Sequence, residues 1–595
     1  MTFLKLCWNN LIRRATTFGL LLFLLLSSGS IPAQGTWTPV TQTTLDTAGG
    51  VMILLSDGSV LAKTYTGGAD GYGNVWMRLT PDSGGSYVNG SWAPIAPMQD
   101  TRLYFSSQLL KDGRLYVAGG EYGSGKVSGE TYDPLTNTWT PVIPLPPGDT
   151  LFDANSAILP DGRILQSLVY APGVTYSGDV IYDPASNSYT GPIHSHGSPD
   201  ESAFVKMPDN SILFIDNAYF SANNATERYI PSVNQWVRDA DVPDTLWKLG
   251  EIGTGMLLPN GQSFFVGASG HTAYYTPSGT VSPGVWSAGP DLPSGLGTPD
   301  APMAMMPNGK ILLAAAPIPT TDTSVFLPPT SFYEFDYLTN TYIPVSAPGG
   351  GMTINQPCFY FNFLDLPDGT VLISEQGNPQ YYVYQPIGSP LLSGKPTISQ
   401  ITHQTCNYTI TGTLFNGISE GTSYGDDWQS ASNYPVIRLT KGANVFYART
   451  FNWNRTGVQT GALADTAEFT LPPSMPAGTY SLVVTANGIA SDPVSFIYTP
   501  CPFSVNESTL SQKTDIRVYP NPVEGESTVL FNGDTEGPYR MRLTDVLGRS
   551  ILEEQGIALP GNNSFQLHAA GIAKGIYLLI LEKDNMQNSI KVSIN

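Results

Sequence analysis

Residues 101–120 read TRLYFSSQLLKDGRLYVAGG: an alternating apolar run, a Lys-Asp-Gly turn, and a second run closed by Gly-Gly. Two short strands joined by a tight turn make a hairpin. The same turn returns as LSDGSV at Asp57, LPDGRI at Asp161, MPDNSI at Asp209, LPNGQS at Asn260, MPNGKI at Asn308 and LPDGTV at Asp368. From Asp57 onward the successive turns, Asp112 included, lie 55, 49, 48, 51, 48 and 60 residues apart. A period of about 50 residues holds four strands, the unit of a propeller blade. Asp or Asn followed by Gly is the pair that a type I′ hairpin asks for, because both central residues take positive φ.

The outer half of each unit carries a second signal. An aromatic is followed seven residues later by another: Tyr132 and Trp139, Tyr182 and Tyr189, Tyr229 and Trp236, Phe335 and Tyr342. These are the expected third and fourth strands, with the rings packing between neighbouring blades. The seventh unit stops at QYYVYQPIGSP without a fourth strand, and GTWTPV at Gly35–Val40 nearly copies NTWTPV at Asn137–Val142. The start of the mature chain therefore supplies the missing strand. In length and turn the units resemble kelch repeats, which implies a seven-bladed propeller over residues 34–393.

From 394 to 501 the pattern changes. KPTISQITHQ, YPVIRLTKG, FYARTFNW and TYSLVVTANGIASDPVSFIYTP alternate as the strands of an immunoglobulin-like sandwich. GDDWQSASNYPVIRLT and AGTYSLVVTANGIASDP resemble the early-set domain that follows the propeller in galactose and glyoxal oxidases. That resemblance spans residues 35–500. After a linker at 502–514, residues 515–595 alternate again as a small β-sandwich. Tyr519-Pro-Asn-Pro522 and the Gly575-Ile-Tyr577 strand resemble the C-terminal sorting domain of the type IX secretion system. The resemblance implies a partnership with that machinery and a location outside a Gram-negative cell, released or attached to its surface. The fold class expected throughout is all-β.

Composition agrees. Gly (61) and Pro (49) are abundant, 11% of residues are aromatic and only 13% charged, which suits turn-rich sheets better than helices. Residues 1–33 read as a signal peptide: Lys5, Arg13 and Arg14 precede FGLLLFLLL, and small residues lead to a cleavage site near Ala33. The apolar run is shorter than the ~20 residues of a membrane span, so no stable membrane insertion is expected. A net charge of −20 disfavours nucleic acid and anionic membranes as partners. The chain is expected to act as a monomer.

The oxidase resemblance puts a copper-radical centre at the propeller axis, and its ligands are carried over one by one. Tyr104, eight residues before its turn, matches the equatorial tyrosine. The neighbouring Tyr-His pair of those oxidases reads Phe359-Tyr360 here, and phenylalanine has no donor atom. TAGGVMILLSDG lacks the cross-linking cysteine, and GDDWQSASNYP lacks the last histidine. Copper is not expected.

In a propeller, positions equally far before the turn lie at equal height around the axis. Eight before it stand Gly49, Tyr104, Asp153, Glu201, Ile252 (with Glu251 beside it), Asp300 and Tyr360. Carboxylates so placed raise one another's pKa or share a cation. Arg102, two residues from Tyr104, is expected on the same strand face, where it answers part of that charge. Glu121, His271 and Glu375 end second strands on the same rim. Three readings stay open. The ring holds calcium, with Asp153, Glu201 and Asp300 as ligands; or it faces a polyhydroxylated ligand such as an extracellular glycan or other polymer; or the side chains cap loops.

The corresponding functions are a secreted binding protein with an acidic axial mouth, a carbohydrate-active or oxidase-like enzyme with a different centre, and an adhesive surface protein. His194 and His196 have ligand-like spacing but sit in the polar run IHSHGSPDES, read as a loop. Cys406 and Cys501 bracket the second domain and are free to pair in an oxidising compartment. Cys358, in CFYFNF, reads as a buried thiol.

Overall fold

The computed structural model describes residues 34–44, 50–145, 150–169, 178–197, 199, 202–216, 224–293, 295–321, 323–404, 407–421, 432–458, 462–499, 516–533, 535–545, 549–583 and 586–595. The expected signal peptide, Gly49, Glu201, Cys406, Cys501 and the 502–514 linker lie outside these residues. The chain divides into two compact units, Met1–Pro500 and Cys501–Asn595.

Among the described residues of the first unit, seven antiparallel sheets follow one another from Thr36 to Gln385. Six are four-stranded, and the sheet spanning Leu296–Ile354 adds two short strands. First strands of several neighbouring sheets lie side by side, as Ser106–Leu109 does with Ser156–Ile158, and Met52–Leu54 of the first sheet lies beside Phe361–Asp365 of the last. Thr36–Pro39 completes that last sheet, with Trp37 opposite Tyr384. The unit is an all-β propeller, as the repeat implies.

Every aromatic pair spaced by seven is a direct cross-strand pair: Tyr132 faces Trp139, Tyr182 faces Tyr189, Tyr229 faces Trp236 and Phe335 faces Tyr342. The rings also bridge sheets, Trp76 to Trp139 at 5.9 Å and Phe264 to Phe335 at 4.9 Å between centroids. Such contacts add about 0.5–1.5 kcal/mol each beyond burial.

The repeated turn is not type I′. Gly58 donates its N–H to the Leu55 carbonyl at 3.0 Å, and Leu55 N–H pairs with Ser59 at 2.8 Å. Only the glycine is left-handed, at φ +76°. This is a three-residue loop, and the acidic residue serves a different end. Asp57 Oδ1 accepts the Ser59 N–H at 3.0 Å, and Asp112, Asp161, Asp209, Asn260, Asn308 and Asp368 each repeat that bond two residues on. An Asx side chain fixing its own turn explains the residue type without positive φ at that position.

The turns mark one face of the propeller. There the eight strands from Thr397 to Tyr498 dock: Asn452 N–H reaches the Lys111 carbonyl at 2.6 Å, Thr456 Oγ1 reaches Leu159 O at 2.9 Å, and Lys206 pairs with Glu420 at 3.1 Å. The other ends of the innermost strands are left for a site. Among the described residues of the second unit, seven strands between Arg517 and Ile594 surround a core that includes Val529, Met541, Leu579 and Val592. Among the described residues no helix is long and apolar enough to cross a membrane.

Candidate functional site at the head of the innermost strands

Tyr104, Asp153 and Asp300 each stand two or three residues before an innermost strand, on the face away from the turns. All three are left-handed, with φ of 54°, 36° and 51°. A non-glycine residue held there costs of order 1–3 kcal/mol, and such strain gathers where function fixes a side chain. Asp153 and Asp300 are 8% and 2% exposed, whereas Tyr104 and Tyr360 are half-buried.

Around Tyr104 the residues form a connected patch. Its carbonyl accepts the Glu121 N–H at 3.0 Å, and Gln376 Nε2 donates to its hydroxyl at 3.3 Å. Gln376 is held in turn by the Tyr360 carbonyl at 2.7 Å. Glu121 is half-buried, and burial raises its pKa against the pull of the Tyr122 hydroxyl. Tyr122 is pushed up to about 12, first by its hydrogen bond to Glu121, then by burial and by the charges of Glu121 and Asp153. Its ring packs edge-on to Tyr104 at 6.1 Å and stacks on Tyr72 at 5.3 Å and 22°.

Arg102 requires a correction. It does not answer the rim carboxylates but is fully buried in the second sheet. Its guanidinium donates to the carbonyls of Gly119, Gly125 and Ser128 at 2.7–2.8 Å and to Ser128 Oγ at 2.9 Å. It also pairs with buried Glu130 at 3.3 Å. The left-handed turn at Tyr104 breaks the period-two alternation on which the same-face expectation rested. Arg102 instead pins both ends of the loop that carries Glu121 and Tyr122.

The other candidates make contacts of their own. Asp300 takes an N–H bond to the Ile252 carbonyl at 3.1 Å, and its charge adds to burial in raising the Cys358 thiol. Cys358 is buried, as read from CFYFNF, and donates to Pro299 O at 3.0 Å. Glu251 is half-buried and bridges to Lys248 through the backbone. His271 pairs with Asp291 at 2.8 Å. His194 and His196 are exposed, and His196 lies 3.4 Å from Glu227. Tyr72, Tyr122 and Gln376 went unread in the sequence. GADGYGN and GGEYGSG, glycine-rich loops each displaying one tyrosine, were the available signal.

The groups described around Tyr104 are amide, carboxylate and phenol, whereas the oxidase resemblance asks for a Tyr-His pair where the sequence reads Phe359-Tyr360. Among the described residues no three His, Cys, Asp or Glu side chains gather as a metal-holding group. Glu201, one of the three expected calcium ligands, lies outside the described residues.

Comparison with known proteins finds local similarities along the chain. Residues 111–146 match the kelch motif and 517–595 match the secretion system C-terminal sorting domain. An F-box/kelch-repeat protein of Arabidopsis thaliana is 39% identical over 61 residues, 10% of this chain and 17% of that protein. Galactose oxidase of Gibberella zeae is 42% identical over 52 residues, 8% of each chain. The chain thus spans less than a fifth of the length of either relative. A fungal alcohol oxidase of the AA5 family, solved with copper, superposes on 79% of this chain and all of its own, with 14% identity and a TM-score of 0.46. The chain thus carries a kelch motif and a stretch similar to galactose oxidase, and its type IX sorting domain directs it to the surface or the outside of a Gram-negative cell.

Proposed function

We propose that the exported chain is a binding protein for an extracellular glycan, taken at the mouth formed by Tyr104, Glu121, Asp153 and Gln376, without copper-radical chemistry. The observation that carries it is the strained Tyr104, held left-handed between the Glu121 loop and the Gln376 amide. Phenol, amide and carboxylate side by side suit hydroxyl groups, which both donate and accept. The strands from Thr397 to Tyr498 are, on this reading, an early-set, immunoglobulin-like domain that closes the opposite face.

The test is calorimetry of the mature protein against neutral glycans found on an array, with chelator and again with added calcium. Glu121→Gln with Asp153→Asn is expected to weaken binding about tenfold or more, since hydrogen bonds to charged groups are the stronger kind. Asn tolerates the left-handed backbone at 153. A double variant that binds like wild type sinks the assignment. Binding that appears only with calcium turns it toward a cation site.

A further inference from the structure

Tyr72, Tyr122 and Tyr104 form a continuous run of rings, stacked at 5.3 Å and then edge-on at 6.1 Å. Tyr122 is 39% exposed and Tyr104 lies at the head of an innermost strand, so the run leads from the rim into the mouth. The two loops that present it are tied down. Arg102 holds the carbonyls of Gly119, Gly125 and Ser128, and Leu103 and Tyr122 exchange backbone bonds at 3.1 and 3.4 Å. On the other side Thr101 bonds Asp70, Arg102 N–H reaches Gly73 O at 3.3 Å, and Lys63 bonds the Tyr72 carbonyl. Rings on loops already fixed lose little freedom on binding, which is where aromatic contact is most effective.

Resting on the glycan reading above, we infer that this run is a track for several units of a neutral oligosaccharide, so that the ligand is a chain rather than a single sugar. The apolar faces of pyranose rings pack on tyrosines, and the phenol hydroxyls and Glu121 take the hydroxyl edges. Neutrality follows from charge. The chain carries −20 overall, which disfavours a polyanionic glycan.

Calorimetry with neutral hexose oligosaccharides of one, three and six units, with hyaluronate as the anionic control, tests the inference. Wild type is expected to bind the six-unit chain at least about tenfold more tightly than the single sugar, and hyaluronate not at all. Tyr122→Ala should erase that gain, so that the six-unit chain binds within about twofold of the single sugar, and Tyr122→Phe should keep most of it. Equal binding of all lengths by wild type, or an unchanged gain in Tyr122→Ala, overturns the track. The mouth assignment survives that outcome if Glu121→Gln with Asp153→Asn still weakens binding about tenfold or more. No binding of any saccharide removes both.

Discussion

Replacing Arg102 with methionine separates a structural role from a ligand-binding one. The guanidinium is wholly buried and satisfies three backbone carbonyls, Ser128 Oγ and the Glu130 carboxylate, itself only 1% exposed. Methionine fills much of the volume and supplies no donor. Breaking a buried pair by removing one partner costs about 3–5 kcal/mol, because the remaining charge is stranded. Each orphaned carbonyl without water adds of order 1 kcal/mol, so the lower figure is a floor. For a unit of this size that corresponds to a fall in unfolding midpoint of roughly 3–10 °C. Calorimetric scanning of Arg102→Met measures the midpoint, and hydrogen exchange at amides 119–128 reports whether loosening begins in the pinned loop. Arg102→Lys keeps the charge without the fork and should fall between the two. A variant with wild-type midpoint and exchange, but no glycan binding, would return Arg102 to the ligand site and refute the reasoning.

Two further outcomes follow from the same geometry. Asp365 is buried, its Oδ1 has no hydrogen-bond partner, and burial alone raises its pKa well above the usual carboxylate value. An acid whose folded pKa is raised gives up its proton first in the unfolded state, so it lowers stability as pH climbs above about 4. Asp365→Asn should therefore raise the unfolding midpoint at pH 7 and leave it nearly unchanged at pH 3; an equal effect at both sinks the argument. Gly119 sits at φ +82°, and a Cβ there would lie 2.2 Å from the Leu151 carbonyl oxygen. Gly119→Ala should cost roughly 1–3 kcal/mol in backbone strain alone, seen as a lower midpoint and faster exchange across 119–128, whereas an unperturbed variant would show that the loop is free to move.

Much of this protein was legible in the linear order of residues because it depends on local rules. A turn that recurs every 50 residues can only build repeated hairpins, and aromatics seven apart around a short turn must meet across two strands, as Tyr132 and Trp139 do. The copy of NTWTPV at Gly35–Val40 announced the closing strand, since an unpaired edge needs a partner of the same pattern. Even the turn residues were right in kind, although the carboxylate of Asp57 bonds Ser59 rather than supporting a type I′ loop. The site was another matter. Alternation placed Arg102 beside Tyr104, but one residue at φ 54° reverses the chain's facing, and no propensity rule anticipates a tyrosine in the left-handed region. Tyr72 and Tyr122 are 50 residues apart in the sequence and belong to different repeats. Only the closure of neighbouring sheets around a common axis, with Arg102 and Thr101 fastening the loops between them, brings their rings together.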